Sequence, residues 1–157
     1  MPPFLCAECT LNVVCLSKAL SEYINRKAVY RMAYVYLNLN PENQRVGDCT
    51  VRAISKALDE SWEMTYIGLA AEGLSHHDMP SSNYVWGMYL QKNGFMPKAI
   101  ESLCPKCVTV ADFAEKHNKG VYVLATQGHV VTIIDGNIYD SFDSSDEPVL
   151  YYFEKEY

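Results

Sequence analysis

The chain has 157 residues, 49% of them hydrophobic and 20% charged, with a formal net charge of -6. That length holds one domain with a real core and is short for two, and the acidic balance leaves no lysine or arginine stripe to neutralise the phosphates of a nucleic acid. No run approaches the roughly 18 to 20 apolar residues that a membrane-spanning helix needs. The opening MPPFLCAECTLNVVCL is apolar, but no Lys or Arg precedes Lys18 and Glu8 interrupts the run, so it does not read as a secretory signal. The six cysteines read as reduced thiols, because a chain of this size needs no disulfide framework. A cytoplasmic setting is expected.

In chain order, Leu16, Leu20, Tyr23, Ile24 and Ala28 recur at helical spacing and predict an amphipathic helix within an N-terminal extension, residues 1–40. The break to the main domain, residues 41–157, falls near Asn40-Pro41. Met32 opens MAYVYLNLNPENQ, which would serve as the start of a strand-led domain, with residues 1–31 either an upstream addition or a helix packed on it. Val51, Ile54, Ala57 and Leu58 give one apolar face to a helix that starts at or next to Cys49. A second helix is predicted over Ser61–Gly73, with Gly73 as its stop, and a third over Ser82–Asn93. The fourth starts at Thr109 with Asp112 three residues on, an approximate capping box, and ends before Gly120. Trp62, Trp86 and Tyr89 fall at helical spacings and read as core. VYVLATQ, HVVTIID, NIYDSF and PVLYYFEKE then read as four strands. Helices followed by strands predict an α+β fold with an antiparallel sheet.

The strongest local signal for chemistry is Gln44-Arg45-Val46-Gly47-Asp48-Cys49-Thr50-Val51-Arg52. A thiol at a helix N-terminus feels the helix dipole and unpaired N–H groups, which favour the thiolate. The plain alternative is a small buried residue starting a core helix. A thiolate nucleophile needs a base. His117 reads as solvated at a helix end, and His76-His77 as a loop pair. His129 instead opens an apolar strand directly after Gln127-Gly128. Asp135-Gly136 is a strong two-residue hairpin turn signal. With that turn, Ile134 pairs with Asn137, Val131 with Asp140 and His129 with Phe142, so that His129 and Asp140 share a face. A carboxylate there could fix the imidazole tautomer, or Asp140 could simply end its strand.

The order of these residues, a Cys opening a helix after an upstream Gln, then a His on a strand and an Asp on the next, resembles the papain-like cysteine peptidase superfamily. GDCTVRAI is similar to the nucleophile segment of small bacterial and phage papain-like proteins. The resemblance covers about residues 41–154. It implies a papain-like fold with a helical part, including the nucleophile helix, packed on a C-terminal antiparallel sheet. It further implies Cys49 as nucleophile, His129 as base, Asp140 as third member and Gln44 as an oxyanion donor beside the Cys49 backbone N–H. Gln44 stands one position nearer the cysteine than is usual in papain itself, where Asn43 would take the place. The implied activity is hydrolysis of an amide or peptide bond through a thioester, or acyl transfer to an amine, with a peptide or protein substrate and no cofactor. The segment is also similar to the start of ovarian-tumour-class deubiquitinases, but Val46 replaces the expected Asp and deubiquitination is not implied.

A competing pattern is the pair of motifs Cys6-x-x-Cys9 and Cys104-x-x-Cys107, whose thiolates could hold a structural zinc. Their wide separation and lack of Gly-rich flanks argue for reduced thiols and no metal. A non-catalytic binding module on the same frame, with or without that knuckle, is the alternative function. The run Asp143-Ser144-Ser145-Asp146-Glu147 lacks the spacing of a calcium loop and reads as a solvated turn.

Overall fold

A computed structural model of the chain describes residues 32–101 and 107–156, and Met32–Tyr157 form one compact unit. The predicted helix around Leu16–Ala28, the first cysteine pair, and Cys104 lie outside the described residues. Cys107 is described and is exposed.

The described part is an α+β fold. In chain order it runs β1 (Tyr34–Tyr36), α1 (Cys49–Leu58), α2 (Trp62–His76), α3 (Asn83–Lys92), β2 (Phe95–Ala99), α4 (Val110–Lys116), β3 (Val121–Thr126), β4 (His129–Ile134), β5 (Asn137–Asp140) and β6 (Tyr151–Lys155). The strands form a 6-stranded sheet in the order β1-β5-β4-β3-β6-β2. All neighbours are antiparallel except β1, which lies parallel to β5.

The sheet is therefore mixed, where an antiparallel one was expected. Both extra strands are edges. β1 is only 3 residues long, and β2 carries Pro97, which removes a ladder donor and is tolerated at a sheet edge. Neither has the alternating apolar pattern that marks an interior strand. β1 joins the sheet within the compact unit Met32–Tyr157, in the segment that reads as the start of a strand-led domain.

The helix starts follow their caps. Ser61 and Ser82 accept hydrogen bonds from the Met64 and Val85 N–H groups, and Thr109 with Asp112 forms a reciprocal capping box. The end of α2 differs from expectation. Gly73 does not stop the helix, which runs on to His76, with His77 taking the left-handed conformation at φ 53°. Gly73 serves close approach instead, since a Cβ there would lie 2.6 Å from the Asp78 carbonyl oxygen.

Strand alternation divides the interior in two. Val123, Ala125 and Val130 face Val51, Ala53 and Ile54 of α1, Leu69 of α2, and Trp86 and Leu90 of α3. Tyr122, Leu124, Val131 and Ile133 face Val110, Phe113 and Ala114 of α4. Each fully buried large side chain, such as Trp86, Ile54 or Leu69, contributes about 1.5–3 kcal/mol. Trp86 is core, as expected. The central helix α1 is buried on more than its apolar stripe, with Thr50, Arg52 and Ser55 buried as well. Thr132 Oγ1 donates to the Ala53 carbonyl at 2.6 Å, which fixes α1 against β4. No helix among the described residues is long and apolar enough to cross a membrane.

Candidate active site

Cys49 is the first residue of α1, and Asp48 is its N-cap residue without a side-chain capping bond. The first-turn N–H groups of this helix carry a partial positive charge at the thiol. On the sheet side, β4 and β5 pair as Ile134↔Asn137, Ile133↔Ile138 and Thr132↔Tyr139. Asp135 and Gly136 both have positive φ, at 49° and 75°, as a type I′ turn requires. This is the register expected from the Asp-Gly signal, and its continuation places Val131 opposite Asp140 and His129 opposite Phe142. A one-residue slip would turn Asp140 to the other face.

The side chains meet accordingly. His129 Nε2 and Asp140 Oδ2 are 2.6 Å apart, and the Phe142 ring lies 4.7 Å from the imidazole. Asp140 is almost completely buried and tightly held. Its Oδ2 also accepts from Ser144 Oγ at 2.7 Å, and its Oδ1 accepts from the Ser141 N–H at 2.7 Å and stands 3.6 Å from Arg52 Nη2.

The electrostatics of Cys49 and His129 are reciprocal. Burial pushes the thiol up, but the His129 hydrogen bond and charge, with help from the Val130 backbone and Thr50, outweigh it and hold Cys49 below its ordinary value. Burial pulls the imidazole down, but the hydrogen bonds and charges of Asp140 and Cys49 outweigh it and push His129 up to about 9. Each partner favours the charged form of the other. The arrangement suits a thiolate–imidazolium pair near neutral pH.

Clefts flank the 46–51 segment. One, about 320 Å³, is mainly apolar and is lined by Val46, Gly47, Val51, Trp62, Tyr66 and Met79 among others. Trp62 and Tyr66 stack at 5.0 Å. Trp62 is half-buried, packed against the core as expected, and also forms a wall of this cleft. The other cleft, about 250 Å³, has Gln44, Arg45, Arg52, Ser141 and Phe142 in its lining. Gln44 is exposed there, with its backbone N–H on Asn40 Oδ1 at 3.2 Å.

The other histidines lie elsewhere in the fold, with His77 exposed at the C-cap of α2. His76 is the last residue of α2, not part of a loop, and bonds Glu72 at 2.9 Å. His117 packs on Phe113 at 3.8 Å between ring centroids and bonds the Phe113 carbonyl; it is half-buried, where a solvated residue was expected.

Sequence reasoning missed Asp48, Arg52 and Ser144. Arg52 forms a buried ion pair with Asp48, and Trp62 Nε1 donates to the other Asp48 oxygen at 2.9 Å. The i,i+4 spacing of Asp48 and Arg52 was the available signal. Ser144 sat in a run that reads as a solvated turn, yet it is buried against Asp140, while Asp143 is exposed and bonds Ser145 as such a turn would. Comparisons with protein-family models, with curated proteins and with solved structures returned no match.

Proposed function

We propose that this chain is a papain-like cysteine hydrolase that cleaves an amide or peptide bond, with Cys49 as nucleophile and His129 as base and acid. The observation that carries the reading is the pairing of His129 Nε2 with the buried Asp140 Oδ2 at 2.6 Å, beside a thiol that opens a helix and is held below its ordinary value by His129. A structural histidine needs no thiol on one nitrogen and a saturated carboxylate on the other. Supporting features are the clefts on both sides of the 46–51 segment and the open space beside Gly47, where an added Cβ would meet nothing within 4 Å.

In this mechanism the Cys49 thiolate attacks the scissile carbonyl carbon, forming the C–S bond and a tetrahedral oxyanion. The Cys49 backbone N–H and the Gln44 amide would donate to that oxygen. His129 gives its proton to the departing amine as the C–N bond breaks, leaving a thioester. His129 then takes a proton from water, which attacks the thioester, releases the acid and restores the thiol pair. Asp140 keeps the imidazole in one tautomer and stabilises its charged form. An amine in place of water would give transamidation by the same steps.

The test is alkylation with iodoacetamide across pH, with the modified residue located by mass spectrometry. Cys49 is expected to react preferentially near neutral pH and to lose that preference in His129→Ala. Equal labelling of all accessible cysteines would defeat the reading and leave a binding module on this frame.

A further inference from the structure

The mechanism above uses Cys49, His129 and Asp140 and leaves unexplained a buried ion pair beside them. Asp48 is the residue directly before the nucleophile, 6% exposed, and Arg52 lies one turn on, 7% exposed. A carboxylate next to a thiol opposes formation of the thiolate, because like charges close together in a poorly solvated site repel strongly. Asp48 does not spend its charge as a helix cap either, since its side chain makes no capping bond. Its oxygens are turned instead to Arg52 and to Trp62 Nε1. Arg52 reaches past Asp48 to Asp140 Oδ1. Its guanidinium thus stands between the carboxylate adjoining the nucleophile and the carboxylate holding the base.

We propose that Asp48 and Arg52 are a positioning pair for the Cys49–His129 site, in which Arg52 cancels the Asp48 charge at the thiol and braces Asp140 against His129. The proposal rests on the reading of Cys49 and His129 as nucleophile and base. Arg52 suits the task because a planar fork can address both carboxylates, which a lysine cannot. With Arg52 in place, Asp48 and Arg52 sum to zero beside the thiol, and Asp140 is left to the imidazolium. Asp48 meanwhile fixes the indole of Trp62, a wall of the apolar cleft, so the same pair ties that wall to the nucleophile helix. The other charged or titratable groups around this end of the sheet are Arg45 and Tyr36, which line the same cleft as Arg52, Tyr34 on β1, raised by burial and then by Asp140 and Asp143, Asp143 itself, and Glu147, held by Thr126 Oγ1 opposite His129. Arg45 is the cation among these and it is exposed, whereas Arg52 is buried against both carboxylates.

The experiment is the pH dependence of iodoacetamide alkylation at Cys49, followed by mass spectrometry in the full chain, its Asp48→Asn and Arg52→Gln variants, and the double variant. Loss of Arg52 leaves the Asp48 carboxylate uncompensated beside the thiol, so the acid limit of reactivity is expected to rise by about one pH unit. Loss of Asp48 leaves the Arg52 charge uncompensated, and the limit is expected to fall. The double variant should return close to the parent value. A merely structural pair would lower the melting temperature and leave these limits in place. If Arg52→Gln does not fold, Asp48→Asn decides, because asparagine keeps an acceptor for Trp62. An activated parent thiol whose pH limit ignores the folded variants overturns this proposal alone. A parent Cys49 that alkylates as an ordinary thiol, indifferent to His129→Ala, overturns the nucleophile reading and this proposal with it.

Discussion

Two regions of this protein hold a histidine against a buried carboxylate with a basic side chain nearby, and they differ in what completes them. At the α2–α3 contact, Glu72 bonds His76 at 2.9 Å and Lys92 Nζ at 2.7 Å and 2.8 Å. At the end of the β4–β5 hairpin, Asp140 bonds His129 and faces Arg52. Lys92 first, against burial, and then His76 hold Glu72 below the usual carboxylate range. That group clips two helices together: beyond Glu72, the His76 ring packs edge-on with Tyr84, and the lysine is more than half exposed. The hairpin group adds a thiol at a helix N-terminus and clefts beside it. On the proposed reading, what separates the two histidine–carboxylate pairs is the thiol beside His129.

The largest effect that tests this contrast comes from the histidines themselves. Against any peptide substrate found, His129→Ala or Cys49→Ala is expected to lower kcat by roughly 10⁴-fold or more. His76→Ala should leave both turnover and Cys49 alkylation unchanged, which steady-state kinetics would check. Comparable losses at both histidines would erase the distinction.

The carboxylates come next. Asp140→Asn leaves Arg52 partly unpaired in a buried site and offers the wrong partner to the imidazole, so a stability loss of about 3 kcal/mol and a fall in kcat of up to ~10⁴-fold are expected. Glu72→Gln faces an exposed Lys92 that water can solvate, and should cost about 1–2 kcal/mol with no kinetic change. Urea denaturation beside kinetics separates the two outcomes.

The pH dependence sharpens the contrast further. Cys49 is held below its ordinary value and His129 is pushed up to about 9. Hydrolysis needs the thiolate and the protonated imidazole together. It should rise as pH climbs through the lowered thiol value and fall as pH passes about 9, by about tenfold for each pH unit beyond. Alkylation needs only the thiolate and should not fall on the alkaline side. An alkylation profile that declines in parallel would show that His129 is not the acid for the leaving amine.

Much of this site was legible because its parts obey local rules. The start of α1 at Cys49 follows from an apolar helical face, and the pairing of β4 with β5 follows from Asp135-Gly136 and period-two alternation. What was hidden lay where charge is buried. Val51, Ile54 and Ala57 mark one face of α1, and Arg52 falls off it, which reads as solvent; but α1 is packed on several sides, so the off-stripe arginine is interior. His76 was displaced for a related reason: Gly73 was read as a stop for conformational freedom, whereas it answers a close approach by Asp78. The edge strand β2 was missed because an edge needs neither length nor alternation, while β1 falls in the MAYVYLNLN segment that reads as the start of a strand-led domain.

Ser144 gives the smallest and most selective test. Its hydroxyl is buried and donates to the same Asp140 oxygen that holds His129. Ser144→Ala removes one donor while His129, the Ser141 N–H and Arg52 remain, so no acceptor is orphaned. The expected cost is about 1 kcal/mol of stability, with kcat reduced severalfold. If Asp140 only ended its strand, the stability loss would remain and the rate would not move. Measuring both on one variant thus asks whether the donors around this carboxylate serve the fold alone, as those around Glu72 do, or also the orientation of the imidazole.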